Sequence, residues 1–256
     1  MVFKRLRQAL GVGGPSVETV LANPECRPGD HLEGHVQMVG GDHPVELTSV
    51  ALGLVTRVAV ESGDSAYGTM QEFGRRQVTD AFRLDPGQRY DVPFRFEVPW
   101  ETPLTDLFGQ RLSGMTVELR TELEVTRAVD QGDLAPVAVH PLPVQERLLE
   151  ALLRLGFRLA GADVERGHLY GVHQTLPFYQ EIEFFPASRY AGTINQLAVI
   201  FMTDPQQTRV LLELDKRTPG RFTGGDGFGR FTVDHATATH TDWPAQLDTW
   251  LRHQAG

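Results

Sequence analysis

Hydrophobic residues recur at every second position over long stretches of this chain. Val117, Leu119, Thr121, Leu123 and Val125 fall on one face, with Glu118, Arg120, Glu122 and Glu124 on the other. Val92, Phe94, Phe96 and Val98 repeat the pattern against Arg95 and Glu97, and Val50, Leu52, Leu54, Val58 and Val60 form a third set. A period of two predicts strands of a sheet with one dry and one wet face, because a helix would scatter these residues around its circumference. Gln180 to Phe185 and Val210 to Leu214 alternate in the same way, Leu197 to Met202 reads as a buried strand, and Val233 closes another short strand.

Turn chemistry separates these runs at Pro28-Gly29-Asp30, Gly40-Gly41-Asp42, Asp85-Pro86-Gly87 and Gly132-Asp133. Connections this short favour antiparallel neighbours. Pro93 interrupts a good strand, so that strand belongs at an edge or carries a bulge.

Three segments follow a helical period instead. Residues 2–10 place Phe3, Leu6 and Leu10 on one face beside Lys4, Arg5 and Arg7. Residues 145–155 carry a broad leucine stripe (148, 149, 152, 153, 155), an i,i+4 pair of Glu150 with Arg154, and Gly156 as the stop. Residues 244–253 are opened by Asp242-Trp243-Pro244 as cap and first-turn proline. The stiff stretch His140-Pro141-Leu142-Pro143 suits a linker. The reading is an all-β chain of two tandem antiparallel β-sandwich domains, 1–142 and 143–256, with a few short helices, since sheets this long must cover an apolar face.

Composition narrows the function classes. A net charge of −9 argues against nucleic acid as a partner, because reading phosphates needs a basic excess. Cys26 is the single cysteine, so no intrachain disulfide points to an oxidising compartment. The most apolar run, 197–202, is too short to cross a bilayer, which needs about 20 residues. The N-terminus has charge but no apolar run after it, unlike a signal peptide. The expectation is a cytoplasmic protein.

Candidate chemistry is thin. His31 and His35 lie on one strand face, roughly 13 Å apart at strand rise, too far to share an ion. His168 with His173, and His235 with His240, have mixed facing, and the usual zinc signatures are missing. Gly224 to Gly229 resembles a phosphate cradle, but a strand-like run, Arg230 to Val233, follows it where a helix N-terminus is required. No nucleophile elbow is present, Ser113-Gly114 sits in a turn, and Cys26 has no activating histidine near it in sequence. Asp204, Asp215, Asp226 and Asp234 lack the dense spacing of a calcium loop. These features leave no catalytic, cofactor or metal residue to name.

The basic N-terminal segment, Phe3, Lys4, Arg5, Leu6 and Arg7, is a local exception to the acidic whole. It is a candidate contact with an acidic protein partner, with another copy of the chain, or with an anionic membrane, or else a short helix packed on its own domain with solvated basic tips; at barely two turns any membrane contact through residues 1–10 is weak and peripheral.

Several separated segments agree, in order, with a known family. They include Arg27-Pro28-Gly29-Asp30, Leu84-Asp85-Pro86-Gly87, the run from Val92-Pro93-Phe94 to Val98-Pro99-Trp100-Glu101-Thr102-Pro103, Val117 to Leu123, Leu155-Gly156-Phe157, Ala162-Asp163-Val164-Glu165 and Leu212 to Arg217. The chain resembles the bacterial sporulation-control family of the stage-zero M type, whose members are similar to arrestins. The resemblance implies two arrestin-like sandwiches and a cytosolic regulator or adaptor without catalysis, acting in development or division through protein contacts. It carries over no catalytic residue. The competing reading is a metal- or small-ligand-binding sandwich enzyme with a loop-end site built from His168, His173, Asp226 and His235.

Overall fold

The computed structural model of the chain describes residues 13–62, 65–125, 131–216, 227–238 and 241–255. The chain divides into two compact units, the first built from 1–56, 70–99 and 116–138, the second from 57–69, 100–115 and 139–256.

In the first unit, β1 (Ser16–Leu21), β3 (His31–Val39) and β7 (Arg89–Glu97) form a three-stranded antiparallel sheet in the order β1-β3-β7. Burial alternates strictly along β3 and over the second half of β7, as the period of two requires. Pro93 is tolerated because β7 is an edge strand. A second sheet runs β4 (Val45–Ser62), β10 (Val117–Val125), β11 (Gln131–Val139), β2 (Glu25–Cys26), and β5 (Ser65–Gln77) and β6 (Phe82–Leu84) also pair with β4, the parts of β4 and β5 between 57 and 69 being counted in the second unit. Val50, Leu52 and Leu54 face Leu123, Thr121 and Leu119 across β4 and β10, all fully buried.

The two buried faces meet as a sandwich. The Thr19 hydroxyl of β1 lies 2.5 Å from that of Thr121 on β10, and the Thr19 amide donates to Asp133 Oδ2 at 2.7 Å. The β4–β10 face turned away from this core is held by charge. Arg75 bonds Glu72, Glu122 and Glu124, and the Ser49 hydroxyl donates to Glu124.

Two of the expected turns are built alike. The amides of Asp30 and Gln88 donate to the carbonyls of Arg27 and Asp85, each at 3.0 Å, and Gly29 and Gly87 take φ of 84° and 67° after a proline. That is the type II arrangement, which needs glycine at its third position. Gly132-Asp133, read above as a turn, lies inside β11 instead. Pairing with β10 overrode the local turn preference.

The second unit is dominated by five antiparallel strands in the order β16-β15-β14-β13-β12: Gly227–Asp234, Gln207–Lys216, Ile194–Thr203, Phe178–Phe185 and Arg158–Arg166. A small hairpin, β8 (Asp106–Leu107) with β9 (Gln110–Arg111), belongs to the same unit. The inner sheet face holds Ile182, Phe184, Leu197, Val199, Val210, Leu212 and Leu214.

Among the described residues two helices serve this unit. Helix α1 (Pro143–Arg154) starts with Gln145 accepting the Leu142 amide at 2.8 Å and ends at Gly156, whose φ of 92° stops it. Helix α2 (Trp243–Ala255) is capped by Asp242, which accepts the Ala245 amide, and packs Trp243 on Phe231 of β16 with ring centroids 5.8 Å apart. Among the described residues no helix is long and apolar enough to cross a membrane.

Candidate functional site

The residues singled out from the sequence do not converge. Phe3, Lys4, Arg5, Leu6 and Arg7 lie outside the described residues, as do Asp226 and His240. His168 and His173 occupy the β12–β13 connection, whereas His235 follows β16, with its Nε2 2.9 Å from the Thr208 hydroxyl and its ring 6.1 Å from that of Trp100. Among the described residues no group of three or more His, Cys, Asp or Glu could hold a metal ion. Asp204, Asp215 and Asp234 each serve locally: Asp204 accepts the Gln206 and Gln207 amides, Asp215 the Asn195 side chain, Asp234 the Ala236 amide. Cys26 is buried, and burial followed by the Asp30 charge pushes its thiol up to about 12, which leaves no thiolate at neutral pH.

The structure instead assembles a surface on the outer face of the second unit's sheet. Register puts Asp163, Glu181, Ile200, Leu211 and Arg230 in one row across β12 to β16. The next row holds Glu183, Ala198, Glu213 and Phe228, and Glu165 lies opposite Tyr179. Five carboxylates thus share one face over three strands.

Their environment opposes ionisation. Burial, then the charges of Glu165, Asp163, Glu213 and Glu183, pushes Glu181 up to about 7. Asp163 rises to about 6 by burial and by the Glu165 and Glu183 charges, and its Oδ1 is buried with no hydrogen-bond partner among the described residues. Tyr179 rises to about 12 for the same reasons, with burial first.

The same face is crossed by the β12–β13 connection, residues 167–177, which three side chains fasten. Gln174 accepts the Leu169 amide and donates to the carbonyls of Gly167, Leu176 and Phe178. Glu101 accepts the amides of Thr175 and Leu176 at 2.9 Å. Arg230 donates to the carbonyls of Tyr170 and Gly171 at 2.9 and 3.2 Å. Among the described residues β16 ends the sheet, and this edge adds a third feature. Beside it runs a groove of about 1000 Å³ walled by Phe228, Phe231, Trp243 and Trp250, with Phe228 67% exposed.

The family model described as SpoOM protein matches residues 3–218. The chain belongs to this family. A curated relative, the sporulation-control protein Spo0M of Bacillus subtilis (strain 168), is 32% identical over 222 residues, covering 85% of this chain and 82% of that protein. The crystal structure of Spo0M from Bacillus subtilis superposes with a TM-score of 0.83 at 26% identity, covering 96% of this chain and all of that one. The all-β, arrestin-like sandwich architecture with few short helices is therefore that of the SpoOM family.

The carboxylate rows were in reach of sequence reasoning. Glu181 and Glu183 alternate with Ile182 and Phe184, and Asp163 and Glu165 flank Val164, so each strand's wet face is acidic. Only the register brings the strands together.

Proposed function

We propose that this chain is a non-catalytic cytosolic regulator or adaptor in bacterial sporulation or a related developmental process, acting through protein contacts. Membership in a family that includes a sporulation-control protein supplies the process. The observation that carries the mode of action is the edge of β16, where the sheet ends among the described residues, beside the groove walled by Phe228, Phe231, Trp243 and Trp250. An edge strand offers unpaired backbone donors and acceptors, and an apolar wall beside it gives a partner's side chains somewhere to bury. A large exposed aromatic at such an edge matches the aromatic enrichment of interfaces.

The test is affinity capture of the tagged full chain from native cytosol under gentle crosslinking, repeated with Phe228→Asp. A reproducible partner whose recovery falls severalfold with the variant is the expected result. Recovery of no partner, or equal recovery by both forms, would overturn the adaptor reading.

A further inference from the structure

Tyr170 is 96% exposed, yet the backbone that carries it is tied down by hydrogen bonds. Arg230 reaches from β16 to hold its carbonyl and that of Gly171, and both of its bonds go to main chain, so they fix the loop whatever side chain it carries. Gly171 permits this clamp. Its φ of 69° is left-handed, and a Cβ there would stand 3.2 Å from Arg230 Nη1. Glu101 and Gln174 fix both ends of the loop through six backbone groups.

A tethered backbone under a solvent-facing ring has already lost the entropy that ordering at an interface would otherwise cost. Tyrosine suits this use, since it is large and amphipathic with few rotatable bonds.

Charge selects the partner. The loop lies on the face that holds Asp163, Glu165, Glu181, Glu183 and Glu213, and Gly167 at its base is 3.5 Å from the Tyr179 ring as measured from an added Cβ. Arg230 is engaged with carbonyls, and Arg209 lies 3.7 Å from Asp204. Phe228, in register with Glu213, adds a second exposed aromatic about 7 Å along the sheet from the Arg230 row, two residues at strand rise.

We propose that residues 167–177 form a preorganised recognition loop which presents Tyr170 to a lysine- and arginine-rich segment of a partner protein, seated against the neighbouring carboxylates. The proposal rests on the adaptor reading and specifies the partner's chemistry.

The experiment measures fluorescence anisotropy of a labelled peptide, three repeats of lysine-leucine-arginine, titrated with the full chain. A peptide of three glutamate-leucine-aspartate repeats is the counterpart. The basic peptide is expected to bind at least roughly tenfold more tightly, and Tyr170→Ala to weaken it by about tenfold with an unchanged melting temperature. The double variant Glu181→Gln with Glu183→Gln is expected to weaken it as well and to flatten its salt dependence. Equal binding of the two peptides overturns the charge assignment. Full binding by Tyr170→Ala overturns the loop assignment, whatever the capture experiment with Phe228→Asp returns. Loss of captured partners with Phe228→Asp but not Tyr170→Ala leaves the adaptor reading standing and removes this one.

Discussion

Asp163 stands directly opposite Glu181 across β12 and β13, so two carboxylates occupy one cross-strand position with Glu165 and Glu183 beside them. Like charges so placed repel, and partial burial weakens the water that would screen them.

This pairing makes stability fall with rising pH. Both groups are raised, to about 6 and about 7, so the folded chain keeps protons that the unfolded chain releases earlier. Their contribution is whole below the unfolded carboxylate values and is lost as pH rises through the folded ones. Glu181→Gln should stabilise the protein on the order of 1 kcal/mol near about pH 8, after discounting for solvent screening, and change little near about pH 4. Urea titrations at both pH values check this, and an equal effect at the two would rule it out.

Arg75 makes the opposite kind of cluster. Its guanidinium is raised first by the Glu122 bond, with Glu124 and Glu72 adding to it, and Arg120 approaches Glu122 at 3.5 Å. Arg75→Met keeps the stem but leaves three carboxylates facing one another. A loss of about 1 to 2 kcal/mol is expected, shrinking as salt rises. Chemical denaturation at low and high salt measures it; a loss that ignores salt would point to packing instead.

Gly34 of β3 lies tight against its neighbours. An added Cβ would lie 2.2 Å from the Val20 carbonyl and 2.9 Å from Phe94 Cζ. The first of these is backbone and cannot move without breaking the β1–β3 ladder. Gly34→Ala should cost about 3 kcal/mol or more, seen as a lowered melting temperature. Gly87→Ala, with open space around its Cβ but φ of 67°, should cost about 1 kcal/mol.

Alternation made β4, β7, β10 and β13 legible, because a strand with one buried face writes its period directly into the chain. The helices were legible through leucine spacing and the Asp242 cap. Register was not, since nothing local tells Asp163 that it will meet Glu181, and so the acidic face went unread. The Arg230 clamp was equally hidden. It joins residues 59 and 60 positions apart, and an arginine in a strand pattern reads only as a wet-face residue. The histidines are conspicuous in sequence but dispersed in the fold: His168 and His173 share the β12–β13 connection, whereas His235 follows β16.

The contact between the sheets of the first unit yields the last prediction. Asp133 lies on the inward row beside Thr121, and its carboxylate accepts the amide of Thr19, which is 1% exposed. Asp133→Ala would leave that amide buried without its acceptor, at a cost of about 1 to 3 kcal/mol, whereas Asp133→Asn retains an oxygen there and should lose less. Amide exchange separates this from a general loosening. In the alanine variant the Thr19 amide should exchange much faster while the Val36 amide, its neighbour on β3, keeps most of its protection beyond the global change. Uniform acceleration across β1 and β3 would mean that Asp133 holds the sandwich as a whole and not the edge strand alone.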